Sequence, residues 1–595
     1  MHICRVEITN FRNFEHAVFE CGRNVVLLGE NKAGKSNLLL ALRLVLDPSL
    51  PDSARKLRLE DMWDGVRSRG PDDVVKVSID LTDFEDDENQ LALLADHLVQ
   101  PEPMVARLTY IWEPRKNLKE PPRMESDYDF NVYGGDRPEN RIYGDLRRRL
   151  PMELLHALRD CESDLARWTR SPLRPLLDQA IEEMDAQKLS DYAGKIEEAS
   201  NELTEAPEIK KRAEKLDMQL RGMVGDNQAL DLLLRFAPID PDRLVRSLRV
   251  FIDGGKRSVS DASLGSTNLL FLALKMLEYR QLVEEGDREH TFLAIEEPEA
   301  HLHPTLQRLV FRNYLQLREE EGDDKLPEAS VWVSTHSPHI ASVAPIDSFV
   351  FLRNDGKATT VVSTAKLELS NRSKEDLERY LDVSRGEMLF ARGVILVEGD
   401  SEKFLVPVLA KAQNIDLDEA GIAVCSVSGT NFSPYAKFLQ ALKVPFAILT
   451  DGDPDENGEE WDGLRRAEAL LKKLQPDVEW DLPSWQETDE AAAANGIFVN
   501  GHTFEIALYE CGLGPEFDSA MTSISEKCKR TERMTAWVVG VEEFDANRFL
   551  ADIEGISKGR FAQRLSACIV KSGTDSCPEY IKKAIEYVRE RANPD

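Results

Sequence analysis

At 595 residues the chain is several times the usual domain length, so it divides into several domains, each able to bury a core. With 42% apolar and 31% charged residues, no apolar run near the roughly 20 residues that cross a bilayer, and no signal-peptide pattern in Met1-His2-Ile3-Cys4-Arg5, it reads as a cytoplasmic globular protein without a membrane span. The eight cysteines include no Cys-x-x-Cys pair and suggest neither a disulfide framework nor a zinc site, while a formal charge of -32 runs against non-specific affinity for nucleic acid.

In chain order, Ile3 to Ile8 alternates as a strand, Asn10-Phe11-Arg12-Asn13-Phe14 makes a turn, and Asn24 to Leu28 forms a short apolar strand. Gly29-Glu30-Asn31-Lys32-Ala33-Gly34-Lys35-Ser36 follows, matches GxxxxGK[ST], and runs into a helix-forming stretch from Asn37 to Leu42. This strand-loop-helix context is that of an ATP phosphate loop: Gly29, Asn31 and Gly34 belong to the cradle, Lys35 reaches the β/γ oxygens, and the Ser36 hydroxyl holds Mg²⁺. From about Leu146 to Leu230 the chain is rich in Glu, Lys, Leu and Ala, with apolar residues near helical spacing at Leu154/Leu158/Leu165 and Ile181/Met184/Leu189. It reads as an inserted helical unit, either a dimerisation module, which fits better, or an intramolecular cap. Further on, the strand Thr291 to Ile295 ends in Glu296-Glu297-Pro298-Glu299, placing carboxylates where a Walker B element would sit, with Glu297 to polarise water. The strand Val331 to Thr335 then delivers His336 toward the γ-phosphate.

These elements, with Ala262-Ser263-Leu264-Gly265-Ser266, Glu297-Pro298-Glu299-Ala300-His301-Leu302-His303-Pro304 and Ser334-Thr335-His336-Ser337-Pro338, resemble the ABC heads of RecF and SMC proteins. The resemblance implies two heads sandwiching ATP, with Ser263 and Gly265 as the contact made across the pair and His303-Pro304 ending the loop between heads. Two departures are visible. The Ala262 to Ser266 loop is a degenerate LSGGQ, and Glu296 stands where Asp usually organises Mg²⁺, which favours slow turnover or use of ATP as a switch.

The pattern restarts with the apolar strand Gly393 to Val397, ending in Glu398-Gly399-Asp400-Ser401-Glu402 and a helix through Ala412. A strand from Ile422 to Val427 leads to the turn Ser428-Gly429-Thr430-Asn431, which suits the approach of a phosphate. A third, Phe446 to Thr450, ends in Asp451-Gly452-Asp453, where the central glycine is expected to let two Asp side chains converge without strain. Two strand tips thus bring carboxylates to one edge of a parallel sheet, and hard oxygen donors suit Mg²⁺ or Mn²⁺.

The strand-end Glu-Gly and later Asp-x-Asp resemble the Toprim fold of topoisomerases, primases and nucleases; no nucleophilic tyrosine of the topoisomerase kind is identifiable. Downstream stand Phe498-Val499-Asn500, Thr503-Phe504-Glu505-Ile506-Ala507-Leu508 and Ser557-Lys558-Gly559-Arg560-Phe561-Ala562. An ABC head followed by Toprim with these elements resembles the OLD (overcoming lysogenization defect) family of nucleases over nearly the whole chain. By that resemblance Glu398, Glu402, Asp451, Asp453 and Glu505 hold two divalent metals, in an assignment of acid to ion that stays open, and Lys558 stabilises charge on the scissile phosphate.

The expected fold is α/β: an ABC-type ATPase head in two parts (1–145 and 231–385), a helical insert (146–230), and a Toprim domain with a parallel sheet (386–595). The expected function is a homodimeric, ATP-binding DNA endonuclease that cuts by a two-metal route. Basic clusters at Arg115/Lys116/Lys119/Arg123, Arg147/Arg148/Arg149 and Lys558/Arg560/Arg564 offset the overall charge locally. The resemblance further implies antiphage or DNA-repair service and, as in Gabija systems, a UvrD-like helicase partner. Two rivals are a RecF- or SMC-like ATP-dependent DNA tether with a non-catalytic Toprim scaffold, and an RNA-cleaving Toprim enzyme.

Overall fold

The computed structural model describes the chain apart from residues 67–72, 117, 157–163, 166–170, 225–229, 231–233, 235–245, 247, 301, 316–328, 368–373, 376, 379–382, 455–460, 483, 527 and 594–595. Leu158, Cys161 and His301 therefore lie outside the described residues.

Two sheets build the N-terminal head. An antiparallel sheet combines β1 (His2–Phe11), β2 (Phe14–Glu20), β4 (Val75–Thr82), β5 (Leu98–Pro101), β6 (Met104–Pro114) and β7 (Tyr128–Gly134). In β1 the inward positions Ile3, Val6, Ile8 and Phe11 are buried, the one-sided pattern of a sheet with a single packed face. The second sheet runs β14-β13-β3-β12-β11-β8, from β3 (Val25–Gly29), β8 (Met152–Leu155), β11 (Thr291–Glu296), β12 (Ala329–Ser334), β13 (Phe349–Asn354) and β14 (Thr359–Ser363). All of its pairs except β13 with β14 are parallel. Its central strands are buried from end to end, which is why they read as unbroken apolar runs. Helix α1 (Lys35–Leu46) packs Leu38, Leu39, Leu42 and Val45 into the core between the two sheets.

The proposed insert begins later than its composition suggests. Leu154, expected on a helix, lies in β8, an edge strand paired in parallel with β11, so the head's first part extends through Leu155 rather than stopping at 145. A four-residue strand, Met152-Glu153-Leu154-Leu155, is too short for its periodicity to separate strand from helix, and the edge of the ATPase sheet decides it. Beyond it lie the helices α2 (Leu173–Glu183), α3 (Ala186–Thr204) and α4 (Pro207–Val224). Ile181 and Leu189 fall on successive helices, broken where the Asp185 side chain accepts the N–H of Gln187 and caps α3. A short hairpin of β9 (Phe251–Ile252) and β10 (Arg257–Ser258) precedes α5 (Leu264–Glu284).

The C-terminal sheet is parallel throughout, ordered β16-β15-β17-β18, from β15 (Gly393–Val397), β16 (Ile422–Ser426), β17 (Phe446–Thr450) and β18 (Ile497–Val499). Alternate residues of β15 face opposite sides. Ile395 and Val397 join a core with α6 (Asp400–Ala412), α9 (Lys558–Ser572) and α10 (Glu579–Ala592), whereas Val394 and Leu396 join one that also holds Val26, Leu28, Phe349 and Phe351 of the head. The two sheets therefore share apolar packing at about 1.5–3 kcal/mol per fully buried side chain. Around this core, Arg353 of β13 donates to the carbonyls of Lys443, Arg392 and Ala592. Arg392 forms a two-pronged pair with Glu30 of the phosphate loop at 2.6 and 3.0 Å.

Candidate active site

The head gathers one cluster of glycines, a lysine and strand-end acids. Gly29 and Gly34 have φ of 147° and 102°, and a Cβ on either would run into Leu352 O or the Asn13 amide, so both positions require glycine. Lys35 opens α1 and donates to the carbonyls of Gly29 and Glu30 at 2.9 and 3.1 Å. Burial pushes its pKa down to about 8 against the attraction of Glu297 and Glu299. Asn31 and Ser36 are exposed on the loop and the first turn. Glu297, at a left-handed φ of 42°, stands 3.9 Å from His336 Nε2. Glu299 accepts the Thr335 hydroxyl at 2.8 Å and the His336 N–H at 2.7 Å, and burial raises its pKa. Glu296 faces elsewhere, with its Oε2 2.9 Å from Nδ1 of His156, a residue that carries no motif of its own and follows the short strand β8. Ser263 caps α5 by accepting the Ser266 N–H, with Gly265 in the helix's first turn, and Ser263 makes no hydrogen bond to the phosphate loop among the described residues.

The second cluster lies where the parallel strands of the C-terminal sheet end. Glu398 follows β15, Asp451-Gly452-Asp453 follows β17, and Asn500 follows β18. Glu402 sits in the first turn of α6 and Glu505 in α8 (Phe504–Leu508), 7% and 5% exposed. Glu398 Oε1 accepts the Thr450 hydroxyl at 2.6 Å and the Asp451 N–H at 3.0 Å. Asn500 donates to Asp451 Oδ1 at 2.8 Å and accepts the Gly452 N–H at 2.9 Å. Ser401 donates to Glu505 Oε1 at 3.4 Å, and Lys558 Nζ lies 3.7 Å from Glu505 Oε2. Ser557, just before Lys558, has a φ of 91°, a strained position for a residue with a side chain. The Ser428-Gly429 turn adjoins this edge: Gly429 N–H donates to the Glu398 carbonyl at 2.9 Å, and Arg385 donates to the Ser428 hydroxyl at 2.8 Å.

One local expectation needs correction. The left-handed residue of the Asp-Gly-Asp turn is Asp453, at φ 42°, not Gly452. Asp tolerates that conformation, and glycine is needed at 452 because a Cβ there would run into Asn500 O.

The electrostatics are those of too many acids in too little water. Burial, followed by repulsion from Glu398, Glu402 and Glu505, pushes Asp451 up to about 8 despite the Asn500 hydrogen bond. Burial, then Glu505 and Glu398, pushes Glu402 up to about 7. For Lys558, burial opposes the charge, but Glu505, Glu554, Asp451 and Glu402 outweigh it and raise the pKa. Crowded carboxylate oxygens of this kind fit hard divalent cations, whose charge offsets both burial and repulsion. As the side chains stand, no three acidic, His or Cys residues ring a single point among the described residues. The cause is visible in their partners: Asp451 is turned to Asn500, and Glu398 and Asp453 are drawn to Arg466, 3.6 and 3.1 Å from its Nη2.

The basic clusters divide. Arg147 is buried and donates to Val45 O, and Arg149 pairs with Glu289, so both serve the head's interior. Arg560 and Arg564 are exposed on α9, the helix that begins with Lys558.

Comparison with known proteins finds relatives of both parts of the chain. A family model described as "Overcoming lysogenization defect protein-like, TOPRIM domain" matches residues 389–453, one described as "AAA ATPase domain" matches 144–341, and a family of unknown function matches 1–97. The chain is 25% identical to the OLD nuclease of Thermus scotoductus over 557 residues, covering 89% of this chain and 95% of that one. It is 22% identical to the endonuclease GajA of Bacillus cereus VD045 over 479 residues, covering 76% and 75% of the two chains. Against the solved C-terminal region of the Burkholderia pseudomallei OLD protein the identity is 40%, covering 34% of this chain and 99% of that one, with a TM-score of 0.32; the sequence identity carries the relationship.

Proposed function

We propose that this chain, which belongs to the OLD (overcoming lysogenization defect) family, is an ATP-binding, divalent-metal-dependent DNA endonuclease whose head regulates or positions the cut. An ATPase domain is joined to a Toprim domain, and relatives along most of the chain are nucleases. The single observation that carries the finer reading is the gathering of Glu398, Glu402, Asp451, Asp453, Glu505 and Lys558 at one sheet edge, with Asp451 and Glu402 held above the ordinary carboxylate range.

In this reading the five carboxylates hold two divalent ions. When bound, such ions activate the attacking water and stabilise the leaving 3′-oxygen. The chain's own residues do the rest. Thr450 and the Asp451 N–H fix Glu398, Asn500 orients Asp451, and Ser401 and Lys558 hold Glu505. Lys558 supplies positive charge for the phosphate, and Arg560 and Arg564 continue it along α9 for the DNA backbone. In the head, Lys35, Ser36 and the loop amides bind ATP, with Mg²⁺ on Ser36, Glu297 as water-polarising base, and His336 facing the γ-phosphate, while Glu296, turned to His156, would have to swing round to reach that ion. The exposed position of Ser263 at the start of α5 leaves it, with Gly265, available to the nucleotide of a second head.

A homodimer formed through the insert belongs to the same reading. Tyr192, Ile196 and Leu203 on α3 and Leu216 and Met223 on α4 are exposed apolar residues in its favour. So do antiphage or DNA-repair service, a cytoplasmic setting and a UvrD-like helicase partner. Among the described residues no helix is long and apolar enough to cross a membrane. The deciding experiment offers supercoiled and linear DNA, and RNA in parallel, with Mg²⁺ or Mn²⁺, with and without ATP. DNA cleavage that requires the metal is expected. Binding without cleavage would favour the DNA-tether alternative, and cleavage of RNA alone would favour the RNA-cleaving one.

A further inference from the structure

Arg466 has no counterpart in the sequence motifs. It lies on α7 (Asp462–Leu474), whose first turn is pressed onto the Asp-Gly-Asp turn: Gly463 N–H donates to the Gly452 carbonyl at 2.9 Å, and a Cβ on Gly463 would run into Asp451 O. One turn along the helix, Arg466 reaches over that loop. A single nitrogen, Nη2, donates to Asp451 O at 2.6 Å and stands 3.1 Å from Asp453 Oδ2 and 3.6 Å from Glu398 Oε1.

The manner of this contact differs from that of a structural arginine in the same domain. Arg533 grips Asp552 with Nε and Nη2 together, at 2.9 and 2.6 Å to one oxygen, in the fork that locks both partners. Arg466 touches its two acids through one nitrogen only, and its buried Nε has no hydrogen-bond partner among the described residues. It can yield by swinging aside, which an end-on contact permits and a fork resists. Asp453, with a side chain 42% exposed against 18% for Glu398, is the acid that an ion from solvent meets first.

We propose that Arg466 is a positioning residue that sets the site's divalent-cation affinity by competing with the ion for the Glu398 and Asp453 carboxylates. This rests on the reading of the cluster as a divalent-metal site. A merely structural pair predicts the opposite sign, since its loss would scatter the acids and weaken binding.

The test is titration of the full-length protein with Mn²⁺ alone, by calorimetry, in the absence of DNA and nucleotide. Arg466→Gln is expected to bind Mn²⁺ about five- to tenfold more tightly than the unaltered protein, the size expected for removing one partly screened charge beside the site. Arg466→Lys, which restores the charge, is expected to return the affinity to within about twofold of the original. Arg466→Met, which keeps the aliphatic stem, carries the same expectation as the glutamine variant if that variant fails to fold. Unchanged or weaker binding by a folded Arg466→Gln or Arg466→Met chain overturns the proposal while leaving the metal site standing. Mn²⁺ binding that Asp453→Ala and Glu398→Ala leave untouched overturns the metal site itself, and this proposal with it.

Discussion

The two acid-bearing strand ends of this chain use similar parts to opposite electrostatic ends. In the head a lysine is desolvated against the carbonyls of its own loop, and its pKa falls to about 8; in the C-terminal sheet a cluster of acids is desolvated, and Asp451 and Glu402 rise to about 8 and about 7. Each site makes its own charge uncomfortable until a ligand of the other sign arrives. An under-solvated lysine at a helix N-terminus awaits an anion, and crowded carboxylates beside one lysine await cations. The contrast rests on Lys35 against Asp451 and Glu402, since the buried Glu299 of the head is raised as well.

The most severe way to break this contrast is to remove one side of it at a time. Asp451→Ala or Glu398→Ala is expected to lower metal-dependent DNA cleavage by about a hundredfold or more while leaving ATP binding intact, read by plasmid nicking and by nucleotide titration. Lys35→Ala is expected to do the reverse, removing ATP binding while metal-dependent nicking without nucleotide persists. Loss of both activities in either variant would contradict two separately built sites.

Proton linkage sharpens the comparison next. The folded protein holds Asp451 and Glu402 above their ordinary values, so across the window from about pH 4 to about pH 8 it binds more protons than the unfolded chain, and its stability declines as pH rises. Melting temperature measured in EDTA is expected to fall from about pH 5 to about pH 8, with Asp451→Asn flattening part of the fall and Mn²⁺ restoring more at the upper end. A melting temperature that rises through the same window would reverse the assigned sign.

A smaller effect is expected from Gly463→Ala. Its added methyl meets backbone at Asp451 and Gly452, so α7 or the acid turn must shift at a cost of about 1–3 kcal/mol, read by denaturant unfolding, with cleavage reduced more than ATP binding. Smallest is Arg392→Ala. Its pair with Glu30 is about half exposed on both sides, and its removal is expected to change stability by no more than about 1 kcal/mol.

What the sequence disclosed follows strand ends. Gly29 to Ser36, Glu398 and Asp451 each sit where an apolar run stops, and such a run both forms the strand and aims the next residue at the sheet's edge. Asn500 carries the same signal after Ile497–Val499, but an amide offers no chemistry that distinguishes it from a turn residue until Asp451 is seen beside it. Arg466 was illegible for a different reason. Its approach to Asp453 and Glu398 is set by the close fit of Gly463 on a neighbouring loop, and nothing in local spacing encodes the packing of one helix on a turn. The strand Met152–Leu155 was hidden by its brevity, and with it the role of His156 beside Glu296.

The bond between Glu30 and Arg392 has a consequence for how the two halves converse. Glu30 lies inside the phosphate loop, and Arg392 immediately precedes the strand that ends at Glu398. Being half in solvent, the pair is a slack tether: dissolved salt loosens it, and it transmits pull but little push. Firmer links between the halves are the apolar core that holds Val26, Leu28, Val394 and Leu396, which ionic strength does not soften, and the Arg353 hydrogen bonds beside it.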